Sequence, residues 1–275
     1  MKPATSFLVI VLLLSVFTLA ATPQANALGG YVLSASGTAT VRLSNEEAHS
    51  GTHSVEMATV TDSDRAEIIF YVHEPLSSID ALSYWTFTVQ AGNQERYRPW
   101  IAIYHHADPT VQTIEEWIND YMAGSPDVFY LQAEPMYAYP NGQFSGQLNA
   151  WEKWDAYDPE HPLRWLSLES PDLPYEAPTL QDYIDGSAVN YQTQSHGVQS
   201  FASREYGSLY VVAIKIRVGY GSEWGGFLGY VDDVTINGYV EEFRPPPTYS
   251  PEQIKAMKLA RDVCREIDEA GKVDV

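Results

Sequence analysis

Between Tyr31 and about Tyr104, apolar and polar residues alternate with a period of two, as they do in half-buried strands. "TATVRLS" alternates, "HSVEMATV" follows a Ser50-Gly51 turn, and "RAEIIFYVH" and "LSYWTFTVQ" continue the pattern. Gly, Asn, Asp, Ser and Pro punctuate the runs. "RYRPWIAIYHH" predicts a further strand, and its Pro99 predicts an edge or a bulge, because proline cannot donate to a ladder. Strands return in "GSLYVVAIKIRVGYG" and "FLGYVDDVTINGYVEEF", with Asn237-Gly238 as a turn. The first is apolar at Val211, Ala213, Ile214, Ile216 and Val218. Together these two predict the centre of a sheet, paired with strands from the N-terminal half.

Residues from about 107 to 200 break the alternation. "TIEEWINDYMAG" sets Ile114, Trp117, Ile118 and Tyr121 at helical spacing and stops at Gly124. "APTLQDYIDG" predicts a shorter helix, with Thr179 as N-cap and Gly186 as its stop. An aromatic-rich stretch with Trp151, Trp154, Tyr157 and Trp165 lies between them, and "RWLSLES" predicts a strand. Beyond the stiff Pro245-Pro246-Pro247 spacer, "SPEQ" is a capping box opening a helix to about Ala270. Ile254, Met257, Cys264 and Ile267 form its apolar stripe. A helix of this length is marginal alone in water, so the stripe predicts docking on its own domain or self-association through residues 251–270.

The first 27 residues read as a signal peptide: Lys2, an apolar run from Phe7 to Ala20, and an Ala25-Asn26-Ala27 cleavage pattern. The exported chain then spans about 248 residues: an all-β domain at 28–243 carrying the insertion of about 107–200, and the spacer and helix at 244–275. No second long apolar run marks a transmembrane segment. The chain has 36 Asp and Glu against 16 Lys and Arg, a net charge of −20. That surface repels nucleic acid and anionic membranes and favours cations or solubility in salt. One cysteine, Cys264, excludes an intramolecular disulfide.

Asp232 and Asp233 are out of place in an apolar strand. Neighbouring strand residues face opposite sides, so one should point inward or to an edge. A buried unpaired carboxylate is too costly to stay charged, and hydrogen bonds or a Ca²⁺ ion would relieve it.

"EEAHSGTHSVEM" and "VVAIKIRVGYGSEWGGFLGYVDDVTI" resemble the second-strand region and the last two strands of jelly-roll carbohydrate-binding modules of the galactose-binding-like and concanavalin-like kind. The resemblance covers about a quarter of the exported chain and implies an all-β jelly-roll sandwich carrying a helical and aromatic insertion and a C-terminal α-helix. It implies a structural Ca²⁺ held by Asp232 or Asp233 with Glu46, Glu47, the His49 carbonyl and Thr52. It also implies a polysaccharide or cell-surface glycan as partner.

Trp and Tyr rings are the usual platforms for sugar rings, and Arg98, Trp100, Trp151, Trp154, Trp165, Tyr220 and Trp224 are the candidates for a cleft; the alternative is that they pack in the core. His105-His106 with Asp108 reads as a surface pair rather than a metal site, because adjacent strand residues face opposite ways. Catalytic signals are poor. "EIDEA" at 266–270 matches part of a glucanase pattern but falls on a helix, and no nucleophile elbow, metalloprotease or phosphate-loop motif is present. The leading expectation is a secreted, non-catalytic carbohydrate-binding or recognition protein. The alternatives are a structural cell-surface subunit, and a polysaccharide hydrolase or lyase on a sandwich scaffold.

Overall fold

In the computed structural model, two antiparallel sheets pack face to face around one core. The structure describes residues 30–92, 97–139, 146–167, 177–194, 197–202, 206–219, 221 and 223–244. The signal-peptide segment, Tyr220 and the predicted helix with Cys264 lie outside them. Described residues up to Phe243 belong to one compact unit.

The strands are β1 (Tyr31–Ser36), β2 (Thr40–Ser44), β3 (Ser54–Ala58), β4 (Arg65–Pro75), β5 (Leu82–Ala91), β6 (Trp100–His106) and β7 (Val128–Ala133). They continue as β8 (Trp151–Asp155), β9 (Trp165–Ser167), β10 (Val189–Gln194), β11 (Gly197–Ala202), β12 (Tyr210–Gly219), β13 (Phe227–Ile236) and β14 (Tyr239–Glu241). The first sheet has the order β1-β4-β12-β6-β7-β9. The second has β2-β3-β13-β5-β8, with β14 paired to the end of β13. Strands β10 and β11 form a separate hairpin. From β1 to β6 every connection except β2–β3 crosses between the sheets, and β12 to β13 crosses as well. This is the jelly-roll manner of closing a sandwich, and the fold class is the expected one.

The two long C-terminal strands occupy the centres of different sheets, rather than the centre of one. β12 lies between β4 and β6, and β13 between β3 and β5. Their partners are N-terminal strands, as expected. Pro99 precedes β6, which is an interior strand; a proline just ahead of a strand takes no ladder position. The segment from 107 to 200 supplies β7 and β9 to one sheet and β8 to the other, so it widens the sandwich.

Helix α1 (Ile114–Met122) starts at a capping box, with Thr113 and Glu116 bonding each other's backbone N–H. Its buried face is narrower than the predicted stripe: Ile114 and Trp117 are buried, whereas Ile118 and Tyr121 are 44% and 48% exposed. Trp117 donates to the His105 carbonyl (2.9 Å) and meets Tyr104 edge-on. Helix α2 (Leu180–Ile184) has the same kind of box from Thr179 and Asp182.

Asp64, buried at the β3–β4 turn, ties that turn to the β1–β2 turn. It accepts from the Thr38 amide and hydroxyl and from the Val60 and Thr61 amides at 2.7–2.8 Å. These donors hold its pKa well below the usual carboxylate range. A Cβ on Gly37 (φ +72°) would lie 2.3 Å from Asp64 Oδ1, so only glycine fits there.

Candidate functional site

The Asp232-Asp233 pair grips the β2–β3 loop. Asp232, with no solvent-exposed surface, accepts through Oδ2 from the amides of His49 (2.8 Å) and Ser50 (3.1 Å). Its Oδ1 accepts from the Asp233 amide (2.8 Å). Asp233 meets His49 Nδ1 at 2.6 Å through Oδ2, and its Oδ1 accepts the Ser50 hydroxyl. The chain accommodates both carboxylates by a bulge: register against β5 shifts between Asp232 and Thr235, and Asp233 sits at φ +45°, a left-handed conformation that Asp tolerates. The question raised by two acids in one apolar strand is thus answered by hydrogen bonding within the chain.

The clasp places an aromatic ring at the sheet surface. The His49 imidazole stacks on Trp85 at 3.8 Å between centroids, with Trp151 edge-on at 5.5 Å. Phe87 joins Trp151 (5.5 Å) to Tyr230 (6.2 Å). Trp85 and Phe87 on β5, Tyr230 on β13 and Trp151 on β8 share the face turned away from the core, because cross-strand partners share a face. The next positions on β5, Tyr84 and Thr86, point into the sandwich and are fully buried.

Beside this row lies an open groove of about 840 Å³. Its floor follows the pairing Asp155–Ser83–Thr235 across β8, β5 and β13, with Trp85 beside it. Tyr157 forms part of the wall. Among the described residues, the lining includes Asp80, Asp155, Asp158, Asp233 and Glu242 against a single cation, Lys153, which already bonds Asp155 at 2.9 Å. The groove therefore combines an aromatic ring, the hydroxyls of Ser83 and Thr235 on its floor, several carboxylate acceptors and a negative field.

The predicted ligand residues are scattered. Trp151 alone belongs to this face. Trp154 and Trp165 are core residues, with Trp154 donating to the Thr86 hydroxyl (2.8 Å). Arg98 is a buried staple, bonding Glu152 at 2.5 Å and the carbonyls of Tyr97 and Gln147. Trp224 packs between Tyr97 and Phe227. Trp100 lies on the outer face of the first sheet, under Arg217. Tyr220 is outside the described residues. Trp85 and Phe87 were not singled out from sequence. Their signal was present: in "LSYWTFTVQ" the phase opposite Tyr84 carries Trp85, Phe87 and Val89, while Thr86 and Thr88 share the phase of Tyr84.

Of the proposed metal set, Asp232 and Asp233 meet His49, but through its amide and imidazole rather than the carbonyl expected as a ligand. Glu46 accepts from the Tyr230 hydroxyl at 3.1 Å, the Glu47 carbonyl accepts from Ser54, and the Thr52 hydroxyl lies 2.8 Å from His53 Nδ1. The groups facing the Asp232 oxygens are N–H donors, which suit a carboxylate and repel a cation. Among the described residues no three His, Cys, Asp or Glu side chains are grouped to hold a metal. The arrangement satisfies the pair without Ca²⁺.

His105 and His106 are buried, contrary to the surface reading, because β6 is an interior strand with α1 packed against it. His106 accepts from the Asp108 amide at Nδ1 and meets Asp120 of α1 at 3.2 Å. Burial pushes the His105 pKa down to about 3, so this ring is neutral.

Burial likewise pushes Asp232 up, to about 6, against the lowering effect of its amide donors. A carboxyl whose folded pKa exceeds its unfolded value favours the fold most when protonated; that contribution is fully present below about pH 4 and lost as pH rises through about 6. The melting temperature should therefore rise as pH falls from 7.5 towards 5, and Asp232→Asn should flatten this slope. Equal slopes in the two proteins over that window would contradict the assignment. Asp64, Asp108, Glu116 and Asp158, all held low by hydrogen bonds, act in the opposite sense at lower pH.

No protein-family model matches the chain, and no curated protein does. Two solved structures resemble it. One is the family 11 carbohydrate-binding module of the cellulosomal cellulase Lic26A-Cel5E of Clostridium thermocellum, 12% identical over 78% of this chain and 91% of that one, with a TM-score of 0.34. The other is the CBM22-1 xylan-binding domain from Paenibacillus barcinonensis Xyn10C, 13% identical over 77% of this chain and 87% of that one, with a TM-score of 0.27.

Proposed function

We propose that this chain is an exported, non-catalytic glycan-binding protein that takes an uncharged polysaccharide in the groove beside Trp85. The observation that carries this reading is the aromatic row of Trp85, Phe87 and Trp151 on an outer sheet face next to a groove lined by hydroxyls and carboxylates. An outer strand face is ordinarily polar, and an aromatic one is a contact surface. Pyranose C–H faces match an indole plane, while Asp155, Asp233, Ser83 and Thr235 offer acceptors to sugar hydroxyls. The negative lining disfavours a polyuronate here. No helix among the described residues is long and apolar enough to cross a membrane.

The test is binding of the purified full chain, lacking only the leader, to insoluble and soluble glucans, xylans and mannans, with polygalacturonate as the charged control. Retention on at least one neutral polymer, released by its own oligosaccharide, is expected. No retention on any of them contradicts the reading, and so does sugar release from them, which would indicate an enzyme.

A further inference from the structure

One side of the sandwich is left open. β1 ends the first sheet, β2 ends the second, and the short turn between them holds the two edges side by side. Among the described residues β1 pairs only with β4 and β2 only with β3, so each keeps a row of backbone N–H and C=O groups without a strand partner. The opposite side is closed. β9 is three residues long, its Trp165 amide donates to the Pro178 carbonyl (2.9 Å), and an Arg164–Thr179 bridge lies beside it. β8, "WEKWD", carries Glu152, Lys153 and Asp155, the kind of charges that keep an edge from pairing with another chain.

β1 has no such guard. "YVLSAS" contains no charge and no proline, and its six residues pair with β4 in unbroken register from Tyr31–Phe70 to Ser36–Arg65. Its apolar side chains are incompletely covered. Val32, on the outer face with Ile69, is 47% exposed. Tyr31 and Leu33 of β1 and Val41 and Leu43 of β2 pack against the core yet are only partly buried. On the closed side, Trp165 and Tyr183, whose hydroxyl donates to the Trp165 carbonyl, are sealed. The core therefore reaches the surface along the seam between β1 and β2.

We propose that the β1 edge is a self-association surface, pairing antiparallel with β1 of a second copy of this chain about a two-fold axis perpendicular to the sheet. Side chains alternate along a strand, so inner face meets inner face only where odd-numbered residues stand opposite odd-numbered ones. An axis through Leu33 sets Leu33 against its own copy and Tyr31 against Ala35 of the other copy on the inner face. It sets Val32 against Ser34 on the outer face, and both cores continue through the joint. A second copy is the occupant that fits, because such a pairing makes every contact twice. The uncharged edge is also where two chains of net charge −20 approach without bringing carboxylates together. A six-residue pairing is a small contact, so the dimer is weak and forms at high protein concentration. The axis leaves the outer faces of both second sheets on the same side. On the glycan reading above, the two grooves then meet one polymer surface together.

Sedimentation velocity and light scattering on the full chain without its leader, from micromolar to millimolar concentration and without glycan, test this. A reversible monomer–dimer equilibrium is expected. A first variant, Val32→Lys with Ser34→Lys, puts like charges opposite each other across the joint. It should stay monomeric at every concentration and melt within a few degrees of wild type, because both side chains are exposed. A second variant, Val32→Lys with Ser34→Asp, puts opposite charges there and should restore the dimer. If the first variant fails to fold, hydrogen exchange of wild type decides: β1 amides should be better protected at high than at low concentration, and β8 amides equally at both. A wild-type monomer at millimolar concentration overturns the proposal. So does a dimer that persists in the first variant, as association through residues 251–270 would, or a second variant that stays monomeric. Exchange of β1 that ignores concentration also overturns it. These readouts involve no glycan, so a chain that dimerises but is retained on no neutral polymer keeps this interface and loses the groove.

Discussion

Replacing Glu67 by leucine is expected to cost about 3–5 kcal/mol of stability, because breaking a buried ion cluster by removing one partner strands the rest. Glu67 is 5% exposed and is the shared anion for Lys215, Arg217 and Arg65. Without it the Lys215 and Arg217 charges lie side by side on one sheet surface, both nearly sealed from solvent. Urea unfolding at neutral pH measures the loss. A change under about 1 kcal/mol would show that the cluster behaves as an exposed pair does. Arg42 with Glu56 is the internal comparison. Its two hydrogen bonds of 3.0 and 2.9 Å have good geometry, but its Arg42 side chain is 63% exposed, so Arg42→Ala should leave the unfolding midpoint almost unmoved.

Asp232→Ala is expected to cost about 3 kcal/mol, chiefly from donors left without an acceptor. The amides of His49, Ser50 and Asp233 all point at this one carboxyl group. Protonation or Asn at the same position leaves an oxygen to accept, which is why acid stabilises through this group while truncation destabilises. Loss of the clasp also frees the His49 ring from its stack on Trp85, so the alanine variant should bind neutral glycan less well than the asparagine variant. Equal urea midpoints for Asp232→Ala and wild type would mean that the loop is held by other contacts.

The strands were legible because alternation is a local signal: each N-terminal run from "TATVRLS" to "LSYWTFTVQ" falls on a strand, β2 to β5. Both short helices were legible from their caps, Thr113 with Glu116 and Thr179 with Asp182. Sheet membership was not, because pairing partners are far apart in sequence. The two late strands read as neighbours, yet each became the centre of its own sheet. The aromatic residues show the same limit. Trp151 and Trp154 are three residues apart on one strand and therefore face opposite ways, one to the surface and one to the core. Composition cannot tell which. Likewise His105-His106 read as exposed until β7 and α1 covered their strand. Asp232-Asp233 did stand out as an anomaly, but its resolution lay in a loop about 180 residues earlier, at His49 and Ser50.

Calorimetric titration of the neutral oligosaccharide that competes best for retention, into wild type and Trp85→Ala, tests the account most directly. Trp85 is half-buried on the groove floor and contributes little to the core, so the variant should keep its melting temperature within a few degrees. Its affinity should fall at least tenfold, about 1.4 kcal/mol. Unchanged affinity in a folded Trp85→Ala protein would place the glycan elsewhere and contradict the assignment of this face.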